Sequence, residues 1–138
     1  MKKNALYLSL FTSIISLIGC SEHRTQNPSE VYRLWSGSNE VPKGVTLIHG
    51  KYWQSAHWSK EYIMYLELKA TTFWRSEFIR QNNLVYKKDT TITLEQDAPD
   101  WFKPTAQYKI FIPSGFSEGS VYYYDTVGER MLIYEIQL

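Results

Sequence analysis

The sequence predicts an α+β domain: a mainly antiparallel sheet of about six strands, with one main helix at about 72–83 packed on one face. Three observations predict this class. Polar and apolar residues alternate in several segments after residue 45, as they do in strands with one buried face. One segment alone changes to the helical period, and short turn-forming segments connect the strands. A small β-barrel or sandwich is the alternative, because several strands are apolar on both sides.

The first two strands are predicted on either side of a turn at 55–57. Residues 45–54 form the first strand, in which Gly50 indicates a bulge or a close approach by another segment. Residues 58–69 alternate more clearly and form the second. On the second strand, one face carries Trp58, Tyr62, Met64, Leu66 and Leu68, and the other carries Ile63 and Tyr65 among charged residues.

The predicted helix carries an aromatic stripe. Trp74 and Phe78 are four residues apart and therefore share a helical face, which Phe73 and Ile79 widen. We interpret this stripe as core. The ends of the helix are marked by residues suited to caps, with Thr71 or Thr72 at the start and Asn82-Asn83 at the end.

Further strands are predicted at 90–96, 107–112, 120–125 and 130–138. Between the first two of these, Pro99 can open a single helical turn that presents Trp101 and Phe102 to the core. In the turn between the last two strands, Gly128 is expected to supply the position with positive φ.

A single helix cannot cover both faces of such a sheet. Either the sheet curls on itself, or one face is left for a partner. The turn at 55–59 adds a cluster of aromatic side chains, which either pack inward across the hairpin or form a recognition loop. The candidate binding surface therefore consists of His57, Trp58, Ile63, Tyr65, Tyr122 and Tyr124.

Size, charge and composition limit the possible functions. The chain has 138 residues, enough for one ordinary domain, and a formal net charge of +1. No basic run alternates with aromatic residues, so we expect no nucleic-acid partner. Aromatic residues make up 16% of the chain. They either fill strands and core or form a recognition surface, because Tyr and Trp dominate binding hot spots.

No motif for catalysis or metal binding is found in the sequence. The three histidines, His23, His49 and His57, do not form a metal-ligand signature, so neither a metal nor another cofactor is expected. Carboxylate pairs such as Asp97 and Asp100 could suit acid–base chemistry, but this pair is explained more simply as capping a turn beside Pro99. We therefore expect no enzymatic activity, although carboxylate-based glycosidase sites leave little local signature.

The N-terminal segment indicates a destination. Lys2 and Lys3 precede an uncharged apolar stretch at 6–18, which is too short to span a bilayer and has the layout of a secretory signal peptide. The stretch ends in Leu17-Ile18-Gly19-Cys20, which holds the only cysteine of the chain. This motif resembles the lipobox of bacterial lipoprotein signal peptides. The resemblance implies that residues 1–19 are removed and that Cys20 receives several acyl chains, which together anchor a protein stably.

The same resemblance suggests where the protein resides. Ser21 follows the cysteine, as in members of this class that are sorted to the outer membrane of a two-membrane host. We expect an anchor in the outer membrane that faces the periplasm, with the inner membrane or the cell surface as alternatives. Residues 20–44 are predicted to form a lipidated, flexible tether in which a short turn can dock through Val31, Leu34 and Trp35, and residues 45–138 to form one globular domain.

Three classes of function fit a domain with this expected cellular location. The first is a protein-binding module in the periplasm. In size and address the chain resembles small immunity lipoproteins that neutralise secreted antibacterial toxins, a likeness of layout and not of motif. The second is a structural or assembly factor of the cell envelope. The third is an envelope enzyme that acts on glycan or lipid, for which no site is found. The sequence leaves the partner and the oligomeric state open.

Overall fold

The computed structural model describes residues 21–88, 94–115 and 119–138. All seven described strands belong to one open antiparallel sheet, with two helices, and this confirms the α+β class. The strand order is β1-β2-β3-β7-β6-β5-β4. In chain order the elements are β1 (His23–Thr25), α1 (Pro28–Ser36), β2 (Val45–Gln54), β3 (Tyr62–Ala70), α2 (Thr72–Gln81), β4 (Leu84–Lys87), β5 (Tyr108–Pro113), β6 (Val121–Asp125) and β7 (Arg130–Gln137).

The sheet is made of two meanders that meet in its centre. Strands β1 to β3 form one, and strands β4 to β7 form the other. The pairing of β3 with β7 joins them, in a register that runs from Tyr62 opposite Gln137 to Lys69 opposite Arg130. Helix α2 carries the chain from the end of β3 to β4 at the far edge.

Residues 23–36, which the sequence analysis assigns to a tether, belong to the folded domain. Strand β1 pairs with β2, and helix α1 packs on the sheet with Val31 fully buried. The Asn27 side chain caps this helix by accepting hydrogen bonds from the backbone N–H groups of Ser29 and Glu30. The docking of Val31, Leu34 and Trp35 was predicted, but the helix is longer than a turn. The expected domain boundary at residue 45 is therefore too late.

Gly50 is the point at which α1 approaches the sheet most closely. A Cβ atom at this position would lie 2.9 Å from both Pro28 Cα and Val31 Cγ2. A bulge or a close approach is predicted at Gly50 from the sequence, and the structure shows an approach by the α1 segment.

Helix α2 begins and ends where its caps predict. Thr71 Oγ1 accepts a hydrogen bond from the Trp74 N–H at 3.2 Å, and Asn82 ends the helix. Trp74, Phe78 and Ile79 pack against the sheet as expected. Phe73 does not, since 78% of it is exposed.

Arg75 attaches α2 to the turn between β6 and β7. It is 2% exposed, and its guanidinium donates to the carbonyl oxygens of Asp125 at 2.8 Å, Gly128 at 3.0 Å and Arg130 at 3.1 Å. The same guanidinium lies over the Tyr124 ring, 4.1 Å from its centroid. Three carbonyl acceptors and an aromatic face replace most of the water that this cation loses on burial, although Nε is buried without a hydrogen-bond partner among the described residues.

Each face of the sheet has its own core. The helix face, under α1 and α2, buries a cluster that includes Met64, Leu66, Leu68, Met131 and Ile133. The loop face buries Tyr65, Phe102, Tyr108, Ile110, Tyr123, Leu132 and Tyr134 under the segment 94–104. As predicted, Trp101 and Phe102 enter the core from a turn at Pro99, which is closed by the Phe102 N–H and the Pro99 carbonyl.

Three details of the C-terminal half differ from expectation. Strand β4 was not predicted. The strand expected at 90–96 lies partly outside the described residues, and its described part, 94–96, is not a strand. Gly128 does not adopt positive φ. Its small size matters for another reason, because a Cβ there would lie 2.6 Å from Asp125 Oδ2.

The contact at Gly50 predicts the effect of one methyl group. We expect Gly50→Ala to lower the free energy of unfolding by about 1–3 kcal/mol, because the α1 backbone must move to admit the Cβ. Urea unfolding of the purified protein measures this change. Gly115→Ala is the matched control, because no described atom beyond its chain neighbours lies within 4 Å of a Cβ there. Equal stability of the two variants would contradict the close contact.

Candidate functional site

The loop between β2 and β3, residues 55–61, carries the most exposed large apolar side chain among the described residues. Trp58 is 91% exposed, and His57 beside it is also exposed. The loop is closed by a hydrogen bond from the Ser55 N–H to the Glu61 carbonyl at 2.8 Å. Within it, the Lys60 N–H donates to the His57 carbonyl, and Lys60 adopts a left-handed φ of 52°. Trp58 is thus presented by a structured loop.

The segment that follows Cys20 lies beside this loop. His23 is opposite Gln54, the last residue of β2, so the start of β1 and the start of the loop are at the same end of the sheet. Glu22 is held there by hydrogen bonds from Trp53 Nε1 and Arg24 Nε.

The structure does not bring the six predicted surface residues together. His57 and Trp58 are in the exposed loop, whereas Ile63 and Tyr65 belong to the core of the loop face and Tyr122 to that of the helix face. Tyr124 is half-buried against Arg75. The expectation of an uncovered sheet face is wrong for the described structure, because the segment 94–104 covers the face that holds Tyr65.

Helix α2 provides a second exposed aromatic site. An open, shallow groove along this helix is lined by Phe73, Trp74, Glu77, Phe78 and Gln81. The rings of Trp74 and Phe78 are stacked, with centroids 5.4 Å apart, and form its aromatic floor. A hydrogen bond from Arg80 lowers the pKa of Glu77, so the groove carries an ionised carboxylate beside its aromatic rings. The sequence pattern indicates the aromatic stripe, but on its own it predicts that all of the stripe is core.

A buried carboxylate joins the loop-face strands. Glu67 is 4% exposed in its side chain, and its oxygens contact His49 Nδ1 at 2.7 Å and Arg130 NH1 at 3.1 Å. The His49 ring stacks on Trp101, with centroids 5.1 Å apart. A carboxylate in this position orients the imidazole ring. The described contacts of the group link β2, β3 and β7 to the covering segment, which is a structural role.

A second carboxylate has a similar position on the helix face. Glu135 accepts hydrogen bonds from Trp35 Nε1 at 2.9 Å, from the Tyr62 hydroxyl at 3.1 Å and from the Tyr122 hydroxyl. Burial and then the Glu135 charge raise the pKa of Tyr122 above its ordinary value. Burial likewise raises the pKa of Tyr65, whose hydroxyl donates to Asp97 at 2.6 Å, and raises the pKa of Tyr134 to about 12.

Among the described residues, no group of three or more His, Cys, Asp or Glu side chains could hold a metal ion. Neither described helix has the length and apolar character needed to cross a membrane.

Comparison with protein-family models, with curated proteins and with solved structures finds no match to this chain. The lipobox at 17–20 lies outside the described residues, so its assignment stays a prediction.

The buried tyrosines predict a loss of stability at alkaline pH. An unfolded tyrosine ionises near pH 10, whereas the raised pKa of Tyr122 keeps the folded side chain neutral at that pH. The contribution of Tyr122 to the free energy of unfolding is therefore complete below about pH 10. It is lost as the pH rises from there toward the raised pKa of the folded side chain. At about pH 11, each buried tyrosine with such a raised pKa is expected to lower the free energy of unfolding by about 1.4 kcal/mol relative to neutral pH.

Tyr122→Phe separates this effect from the hydrogen bond to Glu135. We expect the variant to lose about 1 kcal/mol at neutral pH, with the hydrogen bond, and then to lose about 1.4 kcal/mol less than the wild type between about pH 8 and pH 11. Urea unfolding at a series of pH values checks both. If the free energies of unfolding of the two proteins change in parallel with pH, the raised pKa of Tyr122 is contradicted.

Proposed function

We propose that this chain is a bacterial envelope lipoprotein, anchored through acyl chains on Cys20 in the outer membrane and facing the periplasm. Its domain binds another protein. The lipobox resemblance of residues 17–20 supports the anchor. The size of the domain and the exposed aromatic groove on α2 support the binding role.

The single observation that carries the binding role is the exposure of Phe73 at the edge of this groove. Phe73 is 78% exposed and lies beside two stacked aromatic rings. No described segment covers this apolar side chain, so it is available to a partner. A few well-packed residues that a partner buries typically carry most of the energy of an interface. The partner that fits the groove presents apolar side chains to its aromatic rings, since the Glu77 carboxylate is already paired with Arg80.

Within this class we propose a toxin-neutralising immunity protein. The proposal rests on the envelope address, on the small domain and on a binding surface that lies outside the two cores. A protein that neutralises a toxin needs a rigid, preformed surface, because preorganisation reduces the entropy lost on binding. The α2 groove has this character, since Trp74 and Phe78 pack on the sheet.

The anchor is tested at Cys20. We expect Cys20→Ser to abolish the incorporation of labelled palmitate in a bacterial host and to release the protein from the membrane fraction. Ser21→Ala is the control and should retain the label. Equal labelling of Cys20→Ser and the wild type would refute the anchor.

The binding role is tested at Phe73. We expect the detergent-solubilised lipoprotein to capture a protein partner from extracts of bacteria that carry the matching secreted toxin. Phe73→Ala should weaken this capture by about 2 kcal/mol, roughly thirty-fold in affinity. Trp58→Ser is the matched control, because it removes another highly exposed aromatic residue, at the other end of β3. Equal losses in both variants, or no capture by the wild type, would contradict the proposed surface.

A further inference from the structure

The folded domain begins almost immediately after the anchor. Glu22 is fixed by Trp53 and Arg24, and β1 starts at His23. Two residues of extended chain span at most about 7 Å, so this distance is the limit between the Cα atoms of Cys20 and Glu22. A lipidated Cys20 would therefore hold this end of the sheet directly at the bilayer surface, with no tether of useful length.

The same end of the sheet carries Trp58. The register of His23 opposite Gln54 places the first residues of the mature chain beside the start of the 55–61 loop. The residue that would enter the membrane and the side chain with 91% exposure thus share one end. Phe73 follows the opposite end of β3, a strand of nine residues and therefore roughly 30 Å long.

The chemistry of the loop suits a phospholipid interface. Trp prefers the region between headgroups and acyl chains, because its ring is apolar and its N–H is polar. Its neighbours His57, Ser59 and Lys60 are all exposed, and a lysine attracts anionic headgroups. Glu61 opposes this attraction, but it is only half-exposed and accepts a hydrogen bond from the Ser59 hydroxyl at 3.1 Å.

The loop is also prepared for contact before it meets a membrane. Its two backbone hydrogen bonds, from Ser55 to Glu61 and from Lys60 to His57, hold Trp58 outward. A lysine with a φ of 52° is in a backbone region that L-residues rarely adopt, and the loop keeps it there. Because the loop backbone is already ordered, little backbone entropy remains to be lost when Trp58 is buried.

We infer that the β2–β3 loop is a second membrane contact, in which Trp58 enters the phospholipid interface beside the acyl chains of Cys20. The inference rests on the proposed lipidation. Two contacts at one end of the sheet fix the orientation of the domain, whereas a single lipid anchor leaves it free to tilt. The β2–β3 end then lies on the bilayer, and the end of β3 that leads into α2 points away from it.

Tryptophan fluorescence tests this contact in the processed, full-length lipoprotein. The protein is reconstituted in vesicles of phosphatidylethanolamine and phosphatidylglycerol, with and without phospholipids brominated on the upper acyl chain. We expect brominated lipid to quench part of the wild-type emission. Trp58→Phe should lose this quenched component, and the blue shift that vesicle binding causes in the wild-type emission should disappear with it, while the partly buried Trp35, Trp53, Trp74 and Trp101 continue to emit.

A matched variant places a reporter at the other end. Phe73→Trp, made in the Trp58→Phe background, adds an exposed tryptophan that brominated lipid should leave unquenched. Equal quenching of the wild type and Trp58→Phe would overturn the inference, and so would quenching of the tryptophan introduced at position 73. If Trp58 stays unquenched but cross-links to an envelope protein in cells, the loop belongs to a protein interface and the inference fails.

The anchor and the contact fail in different ways. Absence of acyl chains on Cys20, read from the mass of the N-terminal peptide, overturns the anchor and the contact with it. Acylated, vesicle-bound protein with an unquenched Trp58 overturns the contact alone.

Discussion

The burial of the Arg75 guanidinium holds the two halves of this domain in one arrangement. Helix α2 leaves the N-terminal meander, and Arg75 attaches it to three carbonyl oxygens of the turn in the C-terminal meander. Because a buried cation without these acceptors would be very costly, the position of α2 and the shape of the β6–β7 turn depend on each other. The pairing of β3 with β7 joins the same two halves in the centre of the sheet.

The two faces of the sheet are closed in different ways, and this difference decides which surfaces remain for function. Helices cover one face and the segment 94–104 covers the other. On the helix face Glu135 accepts a hydrogen bond from Trp35, and on the loop face Glu67 forms an ion pair with Arg130. Both faces of the sheet are therefore buried in cores that stabilise the fold. The exposed aromatic side chains Trp58 and Phe73 lie outside these cores, near opposite ends of β3. A membrane contact at one end and a protein contact at the other are compatible in one molecule.

Local patterns predicted the central elements well. The alternation in β2, β3 and β7 and the helical stripe of α2 depend on residues close in sequence, and so do the Thr71 cap and the close approach at Gly50. The short strand β1 and the edge strand β4 were missed, because each is defined by pairing with a strand that its own sequence does not specify. Tyr65 and Tyr122 were assigned to the candidate surface for the same reason: they alternate as expected, but the elements that cover them come from distant segments.

The sequence by itself determined the class of the fold, the main strands, the caps of α2 and the expectation of an anchor at Cys20, since these follow from periodicity and short motifs. Only the tertiary structure decided that residues 23–36 belong to the domain and that both faces are covered. It also decided which aromatic side chains stay exposed. Burial is a property of packing between segments far apart in the chain, so Phe73 and Phe78 look alike in the sequence although only one of them is covered.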